Sequence, residues 1–236
     1  MFMKFLTLAL KRETAAPMLA LAFASAVSVT LVFARILWTG NIRYCFLIWN
    51  LFLAWLPLVC ALLADEKYRE ASGRNWRFLG LFGAWLLLFP NAPYIFTDLI
   101  HLTTGFYSHF WVDLVLILSC ALTGLVLGFV SLYLMQSVVA RRFGRAASWV
   151  FIATVAGLSG FGIYLGRFLR FNSWDVVLQP VKLYHSLGRW AAEPMAHPAS
   201  LALPALFAIF LFLAYVMLYA LTHLQPASII PGEVAS

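Results

Sequence analysis

The sequence predicts an all-α polytopic membrane protein of six transmembrane helices, the third of them broken at Pro90/Pro93. Three observations carry this. Hydrophobic residues make up 64% of the chain and charged residues only 11%, with a mean hydropathy of +0.90; a soluble domain has no use for so much apolar surface. Apolar runs of about 20 residues, the length that crosses a bilayer, alternate with short polar stretches. Finally, Pro90-Asn91-Ala92-Pro93 interrupts one apolar run at membrane depth. Proline lacks an N–H and clashes with the preceding turn, so two of them three apart break or kink a helix. Such a break is tolerated in a bilayer only where protein or a wet cavity receives the freed backbone groups.

The elements follow in order. Residues 1–16 form an N-terminal cytoplasmic or interfacial segment, apolar and then charged at Lys11-Arg12-Glu13. The first span is Pro17 to Trp38. Ala22-Phe23-Ala24 resembles a signal-peptidase site, but the apolar run continues past it, so a retained helix is expected. Tyr44 to Ala64 is the second span, with Asn50 and Pro57 on one face, and Asp65 to Arg77 is a charged loop. Phe78 to Leu102 is the broken third span. Trp111 to Val139 is the fourth, Arg141, Arg142 and Arg145 make a turn, and Ala146 to Leu165 is the fifth. A long segment, Gly166 to Ser200, leads to the sixth span, Leu201 to Thr222, and to a tail, 223–236. Within the long segment, Val181, Tyr184, Leu187 and Trp190 recur at helical spacing, which predicts a short interfacial helix that connects or covers. All of this makes one domain with no internal repeat, so an inverted-repeat transporter is not suggested.

Charge sets orientation rather than a nucleic-acid partner, despite the net +7. With the N-terminus in the cytoplasm, ten basic residues fall inside (Lys4, Lys11, Arg12, Lys67, Arg69, Arg74, Arg77, Arg141, Arg142, Arg145) and six outside (Arg35, Arg43, Arg167, Arg170, Lys182, Arg189). The bias predicts N-in, C-in in a bacterial cytoplasmic (inner) membrane. Cys45, Cys60 and Cys120 have no CxxC spacing and read as small packing residues.

The polar residues then collect on one side. Asn91, Tyr94, Asp98 and His101 are spaced three, four and three, which places them on one helical face. Asp113 opens the fourth span at the same boundary. Tyr164, Arg167, Arg170, Asn172 and Asp175 close the fifth. Cys120, Gly124 and Gly128 repeat every four residues, and Gly157, Gly160, Tyr164 and Arg167 share a face. Small residues at such spacing let membrane helices approach closely, which is expected to bring Asp113 and Arg167 to the broken helix.

The stretches WNLFLAWLPLVCALL, WLLLFPNAPYIFTDLIHL, WVDLVLILSCALTGLVLGFVSLY and GFGIYLGRFLRFNSWD resemble the bacterial membrane-protein family catalogued as domain of unknown function 1361. The resemblance runs from about Trp49 to Pro180. It implies a multi-span bacterial membrane protein and no particular reaction. The family often has Trp where this chain has Phe171, one bulky aromatic for another.

Several chemistries compete for these residues. Asp98/His101 and His109/Asp113 have spacings that suit a divalent metal, but a hydrogen-bonded Asp98–His101 pair without metal is preferred. Arginines at a membrane boundary suit phosphate or carboxylate; they also simply neutralise buried acids. No pattern marks a nucleophile at Ser173 or Thr97, and none names a cofactor or an oligomeric state. The expected site therefore has Asp98, His101 and Asp113 for acid–base work. Arg167, Arg170, Asn172, Asp175, Tyr94, Asn91 and Tyr164 bind an anion. The expected partners are membrane lipids, with an anionic headgroup foremost. The rival functions are a proton-coupled small-solute transporter and a non-catalytic assembly subunit. The wholly apolar Phe78–Phe89 argues against a continuous proton path.

Overall fold

The computed structural model describes residues 15–70, 76–104, 109–192 and 199–222. The N-terminal stretch 1–14, Arg74, part of the third-to-fourth loop and the tail from 223 lie outside the described residues.

Six helical spans are long and apolar enough to cross a membrane, and the chain is an all-α polytopic membrane protein. The first span is α1 (Ala15–Thr39) and the second α2 (Cys45–Glu70). The third is composite: α3 (Trp76–Leu88), the single turn α4 (Asn91–Tyr94), then a 3-10 segment, Ile95–Thr104. The fourth is α5 (Phe110–Phe143) and the fifth α6 (Arg145–Arg167). Two short helices, α7 (Asp175–Leu178) and α8 (Pro180–Ala192), precede the sixth span, α9 (Ala199–Thr222).

α5 is the spine. It packs on α1, α2, α6 and the third span, while α9 leans chiefly on α6. Two apolar clusters fill the bundle. One joins α1, α2 and α5 through Val32, Leu47, Leu58, Ile117 and Leu127. The other joins α3, α5, α6 and α9 through Trp85, Phe89, Phe129, Ile152 and Leu211.

Two boundaries differ from the sequence reading. α2 continues to Glu70, through the first residues of the expected charged loop. Asp65 accounts for this, pairing with Arg69 one turn on at 2.9 Å and with Arg141 of α5. α5 likewise runs through Arg141 and Arg142, and the turn is one residue, Gly144, at φ 88°. That positive φ is the left-handed conformation glycine adopts freely.

The proline break is a change of helix type, not an unwound loop. Ala92 N–H reaches back to the Phe89 carbonyl at 3.1 Å, an i→i−3 bond, and Tyr94 N–H to Pro90 at 3.1 Å. The chain then stays in the tighter 3-10 form for ten residues, well beyond its usual length. Thr97 and Thr103 brace it, each hydroxyl donating to the carbonyl three residues back at 2.7 Å.

Glycines seat this segment. A Cβ on Gly124 would lie 2.8 Å from the Ala92 carbonyl oxygen, and one on Gly128 2.9 Å from the Ala92 Cβ. On the other side, a Cβ on Gly162 would meet the Pro90 ring at 2.8 Å, and one on Gly166 the Tyr94 ring at 3.1 Å. The fourth-span stripe thus does what its spacing predicts. The fifth-span stripe needs correction: Gly157 meets nothing, Gly160 faces the backbone of Pro204 in α9, and the face against the broken span is Gly162/Gly166.

Candidate functional site: a groove with a polar end

Asp98 is the hub. It is almost wholly buried, and two other elements, α2 and α6, converge on it. Asn50 Nδ2 of α2 donates to its Oδ2 at 2.8 Å. Arg167 Nη1, from the last turn of α6, donates to its Oδ1 at 3.2 Å. The second Arg167 nitrogen, Nη2, donates to the Thr97 carbonyl at 2.8 Å, and the guanidinium lies 5.9 Å from the Tyr94 ring centroid. The carboxylate is thus both paired and hydrogen-bonded, which a charge at membrane depth requires.

His101 Nε2 stands 3.9 Å from Asp98 Oδ1. That is ion-pair range but too long for the expected hydrogen bond. The imidazole instead packs against Phe46, with ring centroids 4.9 Å apart. Arg43 Nη2 donates to the His101 carbonyl at 3.4 Å. Asn91 Nδ2 donates to Ser173 Oγ at 3.1 Å, tying the broken turn to the loop after α6.

These groups form one end of a cavity of about 630 Å³. Asn91, Tyr94, Asp98, His101, Arg167 and Asn172 line it, as the sequence spacing predicts. Below them the walls turn apolar, with Leu53, Gly83, Leu87, Leu158 and Phe161. Several rim residues face outward: Trp49 is 55% exposed, Leu158 49% and Leu87 36%. These rim residues are exposed on the flank of the bundle, so the cavity is a groove open to the side. From Arg167 to Leu158 is nine residues of α6, about 13 Å at the α-helical rise, close to half of a ~30 Å hydrocarbon core.

Other expected members sit elsewhere. Asp113 is not in the groove. It is buried against α1, where Arg35 Nε donates to its Oδ1 at 2.6 Å and Tyr44 Oη to its Oδ2 at 2.9 Å. Asp113 lies on nearly the same face as Gly124 but about three turns along the helix, at a height where Arg35 and Tyr44, not the broken span, meet it. Arg170 is exposed, holds a left-handed backbone at φ 56°, and does not line the groove. Tyr164 stacks between Phe161 and Phe168. Asp175 is buried and serves the loop, accepting from the Asn172 backbone N–H at 2.7 Å and Gln179 at 3.2 Å. No group of three metal-ligating side chains occurs among the described residues.

Asn50, Ser173 and Arg43 were not expected among the site residues. An amide inside an apolar span is the only sequence signal for Asn50, and such an amide more often bonds a neighbouring helix. In the α8 segment, Leu183 lines the groove, Trp190 packs on Phe161 at 5.1 Å, and Tyr184 is exposed.

The fold and site together define a multi-pass membrane protein with a laterally open groove that ends in a buried ion pair. The chain belongs to the family described as protein of unknown function (DUF1361), whose model matches residues 49–217. It matches no curated protein and no solved structure.

Proposed function

We propose that this groove binds an anionic lipid or a lipid-linked phosphate in the outer leaflet of a bacterial cytoplasmic membrane, and that the protein is a membrane-embedded enzyme acting on it. The carrying observation is the groove's polarity. An apolar channel one leaflet deep, open to the side, leads to a guanidinium, a carboxylate, an imidazole and the three amides Asn50, Asn91 and Asn172. That is the outline of an amphiphile with its headgroup at the boundary. Among the described side chains, five cations (Arg35, Arg43, Arg167, Arg170, Lys182) and three carboxylates (Asp98, Asp113, Asp175) sit at this end, an excess that favours an anionic headgroup. N-in, C-in orientation follows from the basic-residue bias and puts this end outside.

Arg167 offers its remaining N–H groups to the headgroup while Asp98 fixes its plane. His101, at the mouth and partly exposed, moves a proton; an imidazole gives and takes one near neutral pH. A proton-coupled transporter is the weaker reading. Beyond the groove the third span packs into an apolar cluster of Trp85, Phe89, Phe129 and Ile152, which weighs against a continuous polar path to the other face.

The test uses the full chain in nanodiscs of mixed anionic and zwitterionic phospholipid, with retained lipid read by native mass spectrometry. The wild type is expected to retain anionic lipid selectively. The double variant Asp98→Asn/Arg167→Gln, which removes both charges together, is expected to lose that selectivity. Equal retention of both lipid classes by the wild type overturns the reading.

A further inference from the structure

A second cavity, of about 390 Å³, opens at the same end of the bundle where α1, the start of α2 and the start of α5 meet. The groove reading makes no use of it. Arg35, Trp38, Arg43, Tyr44, His109 and Asp113 are among its walls.

Its charges are arranged in an unusual way for a structural tie. Arg35 engages Asp113 through Nε at 2.6 Å and Nη2 at 3.3 Å. No described residue engages its other nitrogen, Nη1. A second guanidinium, Arg43, stands on the same cavity. Both guanidiniums lie against the Tyr44 ring, 6.0 and 5.9 Å from its centroid. Two guanidiniums and one carboxylate are among the described residues lining this partly enclosed space. A tie between α1 and α5 needs Arg35 and Asp113 alone; it needs no cavity. Burial, and then the bond to Asp113, push the Tyr44 hydroxyl pKa above its ordinary value, so it stays a neutral donor holding Asp113 in place.

We infer that this cavity is a second binding site, for a phosphate-type oxyanion attached to a polar body, held between Arg35 and Arg43. Guanidinium N–H groups match tetrahedral oxyanions in geometry and charge. The space exceeds a bare phosphate, and the Trp38 and His109 rings, 5.1 Å apart, offer a face for the rest of the ligand. Trp38 is 64% exposed, so the site is open to the boundary. The same phosphate chemistry comes either from a soluble phosphate ester or from a lipid headgroup. The site stands independently of the groove, although Arg43 touches both through the His101 carbonyl.

The experiment measures thermal stabilisation of the full chain in two arms. In one, glycerol phosphate is titrated into protein in phosphatidylcholine nanodiscs. In the other, the nanodiscs carry phosphatidic acid and no soluble phosphate. A rise in Tm in the first arm assigns a soluble ester, and a rise only in the second that is diminished in Arg43→Gln assigns a headgroup; either supports the site. Arg43→Gln is expected to weaken the effect about tenfold or more, the worth of a hydrogen bond to a charged group. Arg43→Lys is expected to restore part of it, and Asp98→Asn/Arg167→Gln to leave the soluble-ester effect and the Arg43-dependent part of the phosphatidic-acid effect unchanged. No stabilisation of the wild type in either arm overturns the inference, as does an undiminished effect in Arg43→Gln. An effect lost in Asp98→Asn/Arg167→Gln but kept in Arg43→Gln moves the anion to the groove, which overturns the second site and spares the first.

Discussion

Arg167 and Asp98 are 69 residues apart in sequence and meet at 3.2 Å, closing the polar end of the groove. Only 2% of the Asp98 side chain and 18% of the Arg167 side chain is exposed. Arg167→Gln alone leaves the carboxylate with Asn50 as its remaining side-chain hydrogen-bond donor. Loss of one partner from a buried pair costs on the order of 3 kcal/mol. Denaturant unfolding in detergent is expected to show that loss, and Asp98→Asn added to Arg167→Gln to recover most of it. No recovery in the double variant would mean that Arg167 stabilises by packing alone.

The close approach of α5 to the broken span predicts opposite outcomes for two like substitutions. Gly124→Ala drives a methyl into the Ala92 carbonyl and the Ile95 side chain, at a cost of about 1–3 kcal/mol for overpacking. Gly157→Ala meets nothing within 4 Å and gains helix propensity of up to about 1 kcal/mol. Thermal unfolding of the two variants side by side checks the ordering; equal melting temperatures would contradict the packing described.

The α1–α5 tie makes its own prediction. Tyr44→Phe keeps the ring and removes one hydrogen bond to Asp113, so a loss of about 1–2 kcal/mol is expected. Asp113→Asn leaves the Arg35 charge buried beside a neutral amide and is expected to cost more. The order of the two in a stability series reads this directly.

Orientation is checked by thiol labelling in a cysteine-free background. Asn41 and Arg145 are exposed at opposite ends of the bundle. With the groove's polar end outside, Asn41→Cys reacts with an impermeant reagent in intact cells, and Arg145→Cys reacts only after permeabilisation. The reverse pattern would place the groove in the inner leaflet.

Reading the chain as residues reaches a good part of this. Asn91, Tyr94, Asp98 and His101 share the groove because one short segment carries them all, and local spacing fixes a face within a segment. Arg167 is predictable as well, since it ends a span at the same boundary. Asp113 shows where such reasoning stops. It sits at the right end of the bundle but belongs to Arg35 and Tyr44, because which neighbour meets a helix face at a given height is set by tertiary packing. Gly162 and Gly166 went unnoticed beside the more regular Gly157/Gly160 pair for the same reason.

The sequence by itself determined the membrane class, the six spans, the proline-broken third span and the gathering of polar groups at one end. Those depend on run length, proline chemistry and chain direction, all of which are local. Only the tertiary structure decided that the break becomes a 3-10 segment held between glycines of α5 and α6. Only it decided that Asn50 completes the Asp98 site and that the polar groups divide into two cavities. Those outcomes depend on contacts between residues far apart in the chain, and no periodicity within a single helix specifies its partner.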